Sequence, residues 1–192
     1  MFPQPGRAAW GIFGVLCCLL PAVADAEKEA VTTTVNVDRD GPVFRIHSVS
    51  RVFSGRDTAW SVLTDYEGYV NFVPGMTRSH RLDGQPIRVE QRGEFGVLFL
   101  RMPVYVTLEV EERKPSEVRF RALEGNVRSL FTSVELRVDG DYTLVIYKSV
   151  IEPDFWVPPL IGTPLVRAAI ARKLDAVALE IERRAALSKV SP

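Results

Sequence analysis

The sequence predicts an α+β domain in which one antiparallel sheet packs against a long C-terminal helix. Three observations predict it. A strand pattern followed by a helix pattern opens at Val43, six β-like runs separated by turn signals extend from Met76 to Ile151, and a long amphipathic helix closes the chain.

In the opening strand Phe44, Ile46, Ser48, Ser50 and Val52 alternate with Arg45, His47, Val49 and Arg51, the period-2 signature of a two-faced strand. Ser54, with Asp57 three residues on, gives a capping-box-like helix start. Ala59, Val62, Leu63 and Tyr66 then recur at i, i+3, i+4 and i+7. Beyond Gly68, a short helical or irregular piece carrying Tyr69, Val70, Phe72 and Val73 is stopped by Pro74-Gly75. The β-like runs are separated by Asp83-Gly84, Met102-Pro103, Lys114-Pro115-Ser116, Gly125-Asn126 and Asp139-Gly140, which reads as a six-stranded antiparallel meander.

Alternation assigns faces. Val89, Gln91, Gly93 and Phe95 oppose Arg88, Glu90, Arg92 and Glu94; Val104, Val106, Leu108 and Val110 oppose Tyr105, Thr107, Glu109 and Glu111; Val118, Phe120 and Ala122 oppose Arg119 and Arg121. One face is wet, and its opposite charges on neighbouring strands are expected to pair. In the last helix Thr163 is the expected N-cap, with Pro164 at N1. Val166, Ile170, Leu174, Val177 and Ile181 form a stripe along about 24 residues, with Arg183 and Arg184 near the end.

The N-terminus reads as a secretory signal: Arg7, an apolar run from Trp10 to Leu20, then Pro21 and Ala22-Val23-Ala24-Asp25-Ala26. The run is about half the roughly 20 residues of a membrane span. Cleavage after Ala24 or Ala26 completes an Ala-x-Ala triplet, so residues 1–26 are read as a signal peptide and the mature protein as periplasmic or secreted. Residues 27–42, Thr-rich and ending in Asp40-Gly41-Pro42, read as a flexible leader, residues 43–187 as the domain and residues 188–192 as a disordered tail.

Both cysteines, Cys17 and Cys18, lie inside the signal, which leaves a mature chain without disulfides, thiol nucleophile or thiolate metal site. Basic and acidic residues balance at 24 each, and removing Arg7 and Asp25 with the signal keeps the formal charge at zero. Nothing in that balance points to nucleic acid. The two histidines, His47 and His80, do not form a metal-ligating pair, His47 is expected to face outward, and neither a Gly-x-Ser-x-Gly elbow nor a phosphate loop is present. No cofactor or metal is expected. Asp65, at the end of the first helix, reads as a turn cap. Gln91 interrupts an apolar face, so it either meets a ligand head group or finds a partner within the protein, and the same two readings apply to Ser48 and Ser50.

Ala59-Trp60-Ser61-Val62-Leu63-Thr64-Asp65-Tyr66-Glu67, followed by Phe72-Val73-Pro74-Gly75-Met76 and Ser79, resembles the segment from first helix to second strand of the START-like (SRPBCC) superfamily, which includes the polyketide cyclase/dehydrase and coenzyme-Q-binding groups. The stretch from Glu152-Pro153-Asp154-Phe155 through Pro158 to Glu180-Ile181-Glu182-Arg183-Arg184 is similar to its C-terminal region. The resemblance implies a helix-grip fold, in which a curved antiparallel sheet of about seven strands wraps around the C-terminal helix, with one or two short helices after the first strand. It also implies an elongated apolar cavity between sheet and helix. The motifs specify fold far more than ligand. Export departs from the coenzyme-Q-binding members, which act on the inner side of their membrane, and this weighs against a ubiquinone-specific role.

Against that background the expected cavity residues are Phe44 and Ile46 on the opening strand, Val89, Gln91, Phe95, Val106, Phe120, Phe131 and Tyr147 on later strands, Phe155 and Trp156 at the entrance, and Val166, Ile170 and Leu174 on the last helix. Phe99 also lies beside the β runs. The rigid Phe155-Trp156-Val157-Pro158-Pro159 segment can gate the cavity or touch a membrane during ligand transfer, or simply pin the helix to the sheet edge. The expectation is a monomeric carrier of an apolar small molecule or lipid. A cyclase- or dehydrase-type enzyme using the same cavity is the alternative, and the scarcity of His or acid on the inner face favours the carrier.

Overall fold

The computed structural model describes residues 31–97 and 100–189; the expected signal peptide, Phe99 and the last three tail residues lie outside them. Eight strands form one antiparallel sheet: β1 (Thr32–Asp40), β2 (Val43–Val52), β3 (Met76–Leu82), β4 (Ile87–Val97), β5 (Leu100–Arg113), β6 (Glu117–Gly125), β7 (Val127–Asp139) and β8 (Tyr142–Pro153). Their spatial order is β1-β2-β8-β7-β6-β5-β4-β3. Two short helices, α1 (Arg56–Leu63) and α2 (Tyr69–Phe72), follow β2, and α3 (Pro159–Ser188) closes the chain. This is the helix-grip architecture, with the six-stranded meander as expected.

The strand count is eight rather than about seven because residues 32–40, read as a leader, pair residue for residue with β2. Val35 and Val37 are the apolar residues of this edge strand's inner face, which they share with Thr33 and Arg39, so polar residues on both faces masked the alternation. The domain therefore starts before Val43, and α3 continues through Ser188, one residue into the expected tail. Met102-Pro103 is not a turn but part of β5. Pro103 lies opposite Glu94 of β4, and its carbonyl accepts from Asn126 Nδ2 at 2.7 Å. Its nitrogen faces the same way, toward an edge that β6 leaves unpaired before Val106, where no ladder donor is lost.

Both helix starts also differ from expectation. Gly55 is the N-cap of α1, and the Ser54 hydroxyl donates to the Gly55 carbonyl instead of capping. α3 begins at Pro159, five residues before its internal Pro164, with Pro158 as N-cap. The carbonyl that Pro164 cannot satisfy belongs to Leu160, which is fully exposed, so water can reach it.

Register shifts in β3/β4, β5/β6 and β7/β8 bend the sheet around α3. The interior divides into two clusters. One packs Trp60, Leu63 and Tyr66 from the α1 region and Ala178 and Ile181 of α3 against the central strands. The other packs Val37, Phe44 and Ile46 against Val166 and Ile170. Each fully buried aliphatic or Phe contributes about 1.5–3 kcal/mol. The C-terminal half of α3 is further tied down by Glu182, which accepts the Phe53 N–H at 3.0 Å, and by Arg184, whose guanidinium donates to Asp65 Oδ2 at 2.6 Å. On the outer face the expected cross-strand pairs form, for example Arg121 to Glu109 at 2.8 Å.

Candidate functional site

Between the two clusters the sheet and α3 do not meet, and a cavity of about 600 Å³ remains. Strand parity explains its walls. β2 turns Phe44, Ile46 and Ser50 inward, β4 Gln91 and Phe95, β5 Val106, β6 Phe120 and β8 Tyr147, while α3 supplies Val166, Ile170 and Leu174. Half-buried Leu174 and Val177 reach it from the middle turns of the helix, and the small or polar Ser50 and Thr132 line it from the sheet. The volume lies within the usual range for small-molecule sites.

Two expected residues are elsewhere. Val89 is fully buried in the larger cluster and does not line the cavity. Phe131 is 57% exposed and points to the outer face. Val134 and Leu136 fix the inward parity of β7, so Thr132 turns in and Phe131 turns out. Phe155 and Trp156 both border the cavity, Trp156 with three quarters of its surface exposed beside exposed Leu160 and Ile161. The loop they occupy is held from β1: Arg39 donates to the Val157 and Pro158 carbonyls, each at 3.0 Å, and stacks over Phe44.

The polar groups of the wall are few. Gln91, a lining residue, donates from Nε2 to Ser79 Oγ in a long bond of 3.4 Å. Ser50 and Thr33 share a hydroxyl hydrogen bond of 3.0 Å, whereas the Ser48 hydroxyl, one strand position pair away, is buried without a partner among the described residues. Thr132 and Ser149 share another at 2.7 Å. Burial pushes the Tyr147 phenol above its ordinary pKa, with the Ser149 and Thr132 hydroxyls acting in the opposite direction. Tyr69 donates to the Leu63 carbonyl at 2.7 Å, and burial raises its pKa strongly. Neither phenol is an acid–base group near neutral pH. Asp65 caps a turn as expected, accepting the Gly68 N–H, and His47 is exposed on the outer face. Among the described residues no His, Cys, Asp or Glu cluster has metal-ligand geometry.

The family model for polyketide cyclase/dehydrase and lipid transport matches residues 56–178, well over half of the chain. The chain belongs to this family. Solved structures agree on the fold of a polyketide cyclase/dehydrase and lipid transport protein. A START superfamily protein from Mycobacterium smegmatis superposes with a TM-score of 0.59 at 17% identity, over 75% of this chain and 98% of that one. The Zhui aromatase/cyclase from a Streptomyces species gives 0.60 at 15%, over 78% and 97%. A STAR-related lipid transfer protein from Xanthomonas axonopodis gives 0.60 at 14%, over 80% and 94%. At these identities the likeness is one of fold. No curated protein matches the sequence.

In this member of the family the sequence also held a charged cavity residue that pattern reading passed over. Lys173 lines the cavity, its Nζ 5.5 Å from the centre of the Phe95 ring. It sits three residues after Ile170 and seven after Val166, hence on the apolar stripe itself. A charge in that position was the available signal.

Proposed function

We propose that the protein is a carrier that holds one elongated apolar molecule, such as a lipid, isoprenoid or quinone-like compound, between its sheet and α3, and that it works outside the cytoplasm after loss of its N-terminal signal. The observation that carries this reading is a cavity of about 600 Å³ whose walls are almost wholly aliphatic and aromatic. An empty apolar space of that size forfeits dispersion contacts all along its lining, and a matching apolar guest restores them. The exposed Trp156, Leu160 and Ile161 at the rim suit brief contact with a membrane while the guest changes place. The export part rests on the signal-like pattern of residues 1–26.

The second reading is an enzyme of the cyclase or dehydrase type, which the Streptomyces structural relative's name brings to mind. Acid–base catalysis on an enclosed substrate needs convergent groups that titrate near the working pH. Lys173 is the one charged side chain among the described cavity-lining residues, and this supports the carrier.

The test is titration of an environment-sensitive fatty-acyl or isoprenoid probe into delipidated wild type, Trp156→Ala and Ile170→Trp. Saturable binding to the wild type, weakened by the cavity-filling Ile170→Trp, is the expected result. Equal binding by all three proteins, or no binding by any, overturns the carrier reading. Separately, the secreted protein is expected to begin at Asp25 or Glu27, which mass measurement of its N-terminus checks; recovery of the full-length chain in the membrane fraction overturns the export proposal.

A further inference from the structure

A lysine is a costly residue to place in an apolar wall, because its ammonium loses hydration and regains it only from a partner. Lys173 has no ion pair or hydrogen bond among the described residues. The helix positions that could supply one, three and four residues away on either side, are Ala169, Ile170, Ala176 and Val177. The neighbouring charge on the helix, Arg172, has the same sign. Across the cavity the facing group is the ring of Phe95, which offers the cation only its π-face at 5.5 Å. The physical consequence is that burial, reinforced by Arg172, pulls the amine below its ordinary pKa. The Arg and Glu residues of the outer sheet face satisfy one another at short range, as Arg101 does with Glu94 and Arg92 with Glu90. Lys173 has no such partner among the described residues, and it is the charged residue that lines the cavity.

We propose that Lys173 receives the carboxylate of the bound molecule, so that the ligand class is a long-chain carboxylic acid with one anionic head and an apolar body. This rests on the carrier reading and narrows it. A single ammonium balances a single negative charge. A carboxylate carries one, whereas a phosphate monoester carries about 1.5 to 2 near neutral pH and would remain under-compensated in a wall with no second cation. The pairing is charge-assisted and shielded from water, the setting in which such hydrogen bonds are strongest. The rest of the ligand lies along the Leu174, Val177 and Phe120 side of the cavity, which has no charge to offer it.

The experiment measures binding of cis-parinaric acid and of its methyl ester, two probes of the same shape, to delipidated wild type and Lys173→Met. The expected result is that wild type binds the acid roughly 10- to 100-fold more tightly than the ester, the value of one charge-assisted hydrogen bond, and that Lys173→Met binds both with the affinity the wild type shows for the ester. Ester binding by the variant reports an intact cavity, and the wild-type comparison stands without any variant. If the wild type binds acid and ester equally, the lysine assignment fails while the carrier reading survives. If Lys173→Met keeps the preference for the acid, another group reads the head and the assignment fails. If the wild type binds neither probe, the assignment and its claim on fatty-acyl chains fail together, and an isoprenoid probe that still binds shows that the carrier reading does not fall with them.

Discussion

Replacing Glu180 with Gln removes the carboxylate that holds Arg184, the residue whose bond to Asp65 joins the C-terminal half of α3 to the turn after α1. Glu180 is 8% exposed. Its carboxylate accepts from Arg183 at 2.7 Å and from Arg184 at 2.7 Å, and Arg184 extends the chain to Asp65 at 2.6 Å. The Arg183 hydrogen bond foremost, then Arg184, holds the carboxyl at about 2, against an ordinary value of 4.5. At about 1.4 kcal/mol per pKa unit that difference sets a ceiling of roughly 3 kcal/mol. Because the Arg183 side chain is 59% exposed and screened by solvent, about 2 kcal/mol is the expected loss at pH 7. For a domain of this size that corresponds to a fall in Tm of about 4–8 °C. The pH dependence has a definite sign. A carboxyl whose folded pKa is depressed stabilises fully above its unfolded value and loses that contribution as pH falls toward the folded one. The gap between wild type and Glu180→Gln should thus be complete above about pH 5 and shrink to less than half by about pH 3. Urea unfolding midpoints of both proteins across that range measure it. Equal midpoints at pH 7, or a gap that does not change with pH, would refute the assignment of this network as the anchor of α3.

Ile170→Asp, at a position 6% exposed where α3 meets β2, should lower stability by about 3–5 kcal/mol through an unpaired charge forced inside; an unchanged melting curve would mean the helix does not grip the sheet. Gly125→Ala should cost about 2–4 kcal/mol by thermal denaturation, since Gly125 has φ +133° and an added Cβ would run into the Tyr105 carbonyl oxygen. In delipidated protein Lys173→Met should raise stability by about 1 kcal/mol, as an apolar side chain of similar length replaces a desolvated amine; a lower Tm would show that the amine has a partner within the protein.

The parts of the fold that the sequence made legible are those in which one period ran long enough to dominate. The alternation of β2 and β5 and the stripe from Val166 to Ile181 are of this kind, and they placed most of the cavity wall. Where local residues were ambiguous, tertiary context decided. β1 is an edge strand that buries little beyond Val35 and Val37, so its polar outer face looked like a tail. Leu130 and Phe131 are adjacent and both apolar, and only the packing of Val134 and Leu136 determines which turns inward. Thr163-Pro164 carried a good local start signal, but the loop anchored by Arg39 lets the helix begin four residues before Thr163, at Pro159. The hollow itself was beyond periodicity, which reports the direction of a side chain and not whether another side chain meets it. Lys173 was legible and was passed over, because a stripe read for its apolar members hides the one that is charged.

The central claim is that the interior is a container, and the direct test is native mass spectrometry of the protein as purified, followed by solvent extraction and identification of what is released. The account predicts a one-to-one adduct that dissociates on activation and an extract containing a single class of long apolar molecule. Protein of bare polypeptide mass, with an empty extract and no uptake of apolar probes offered afterwards, would contradict it.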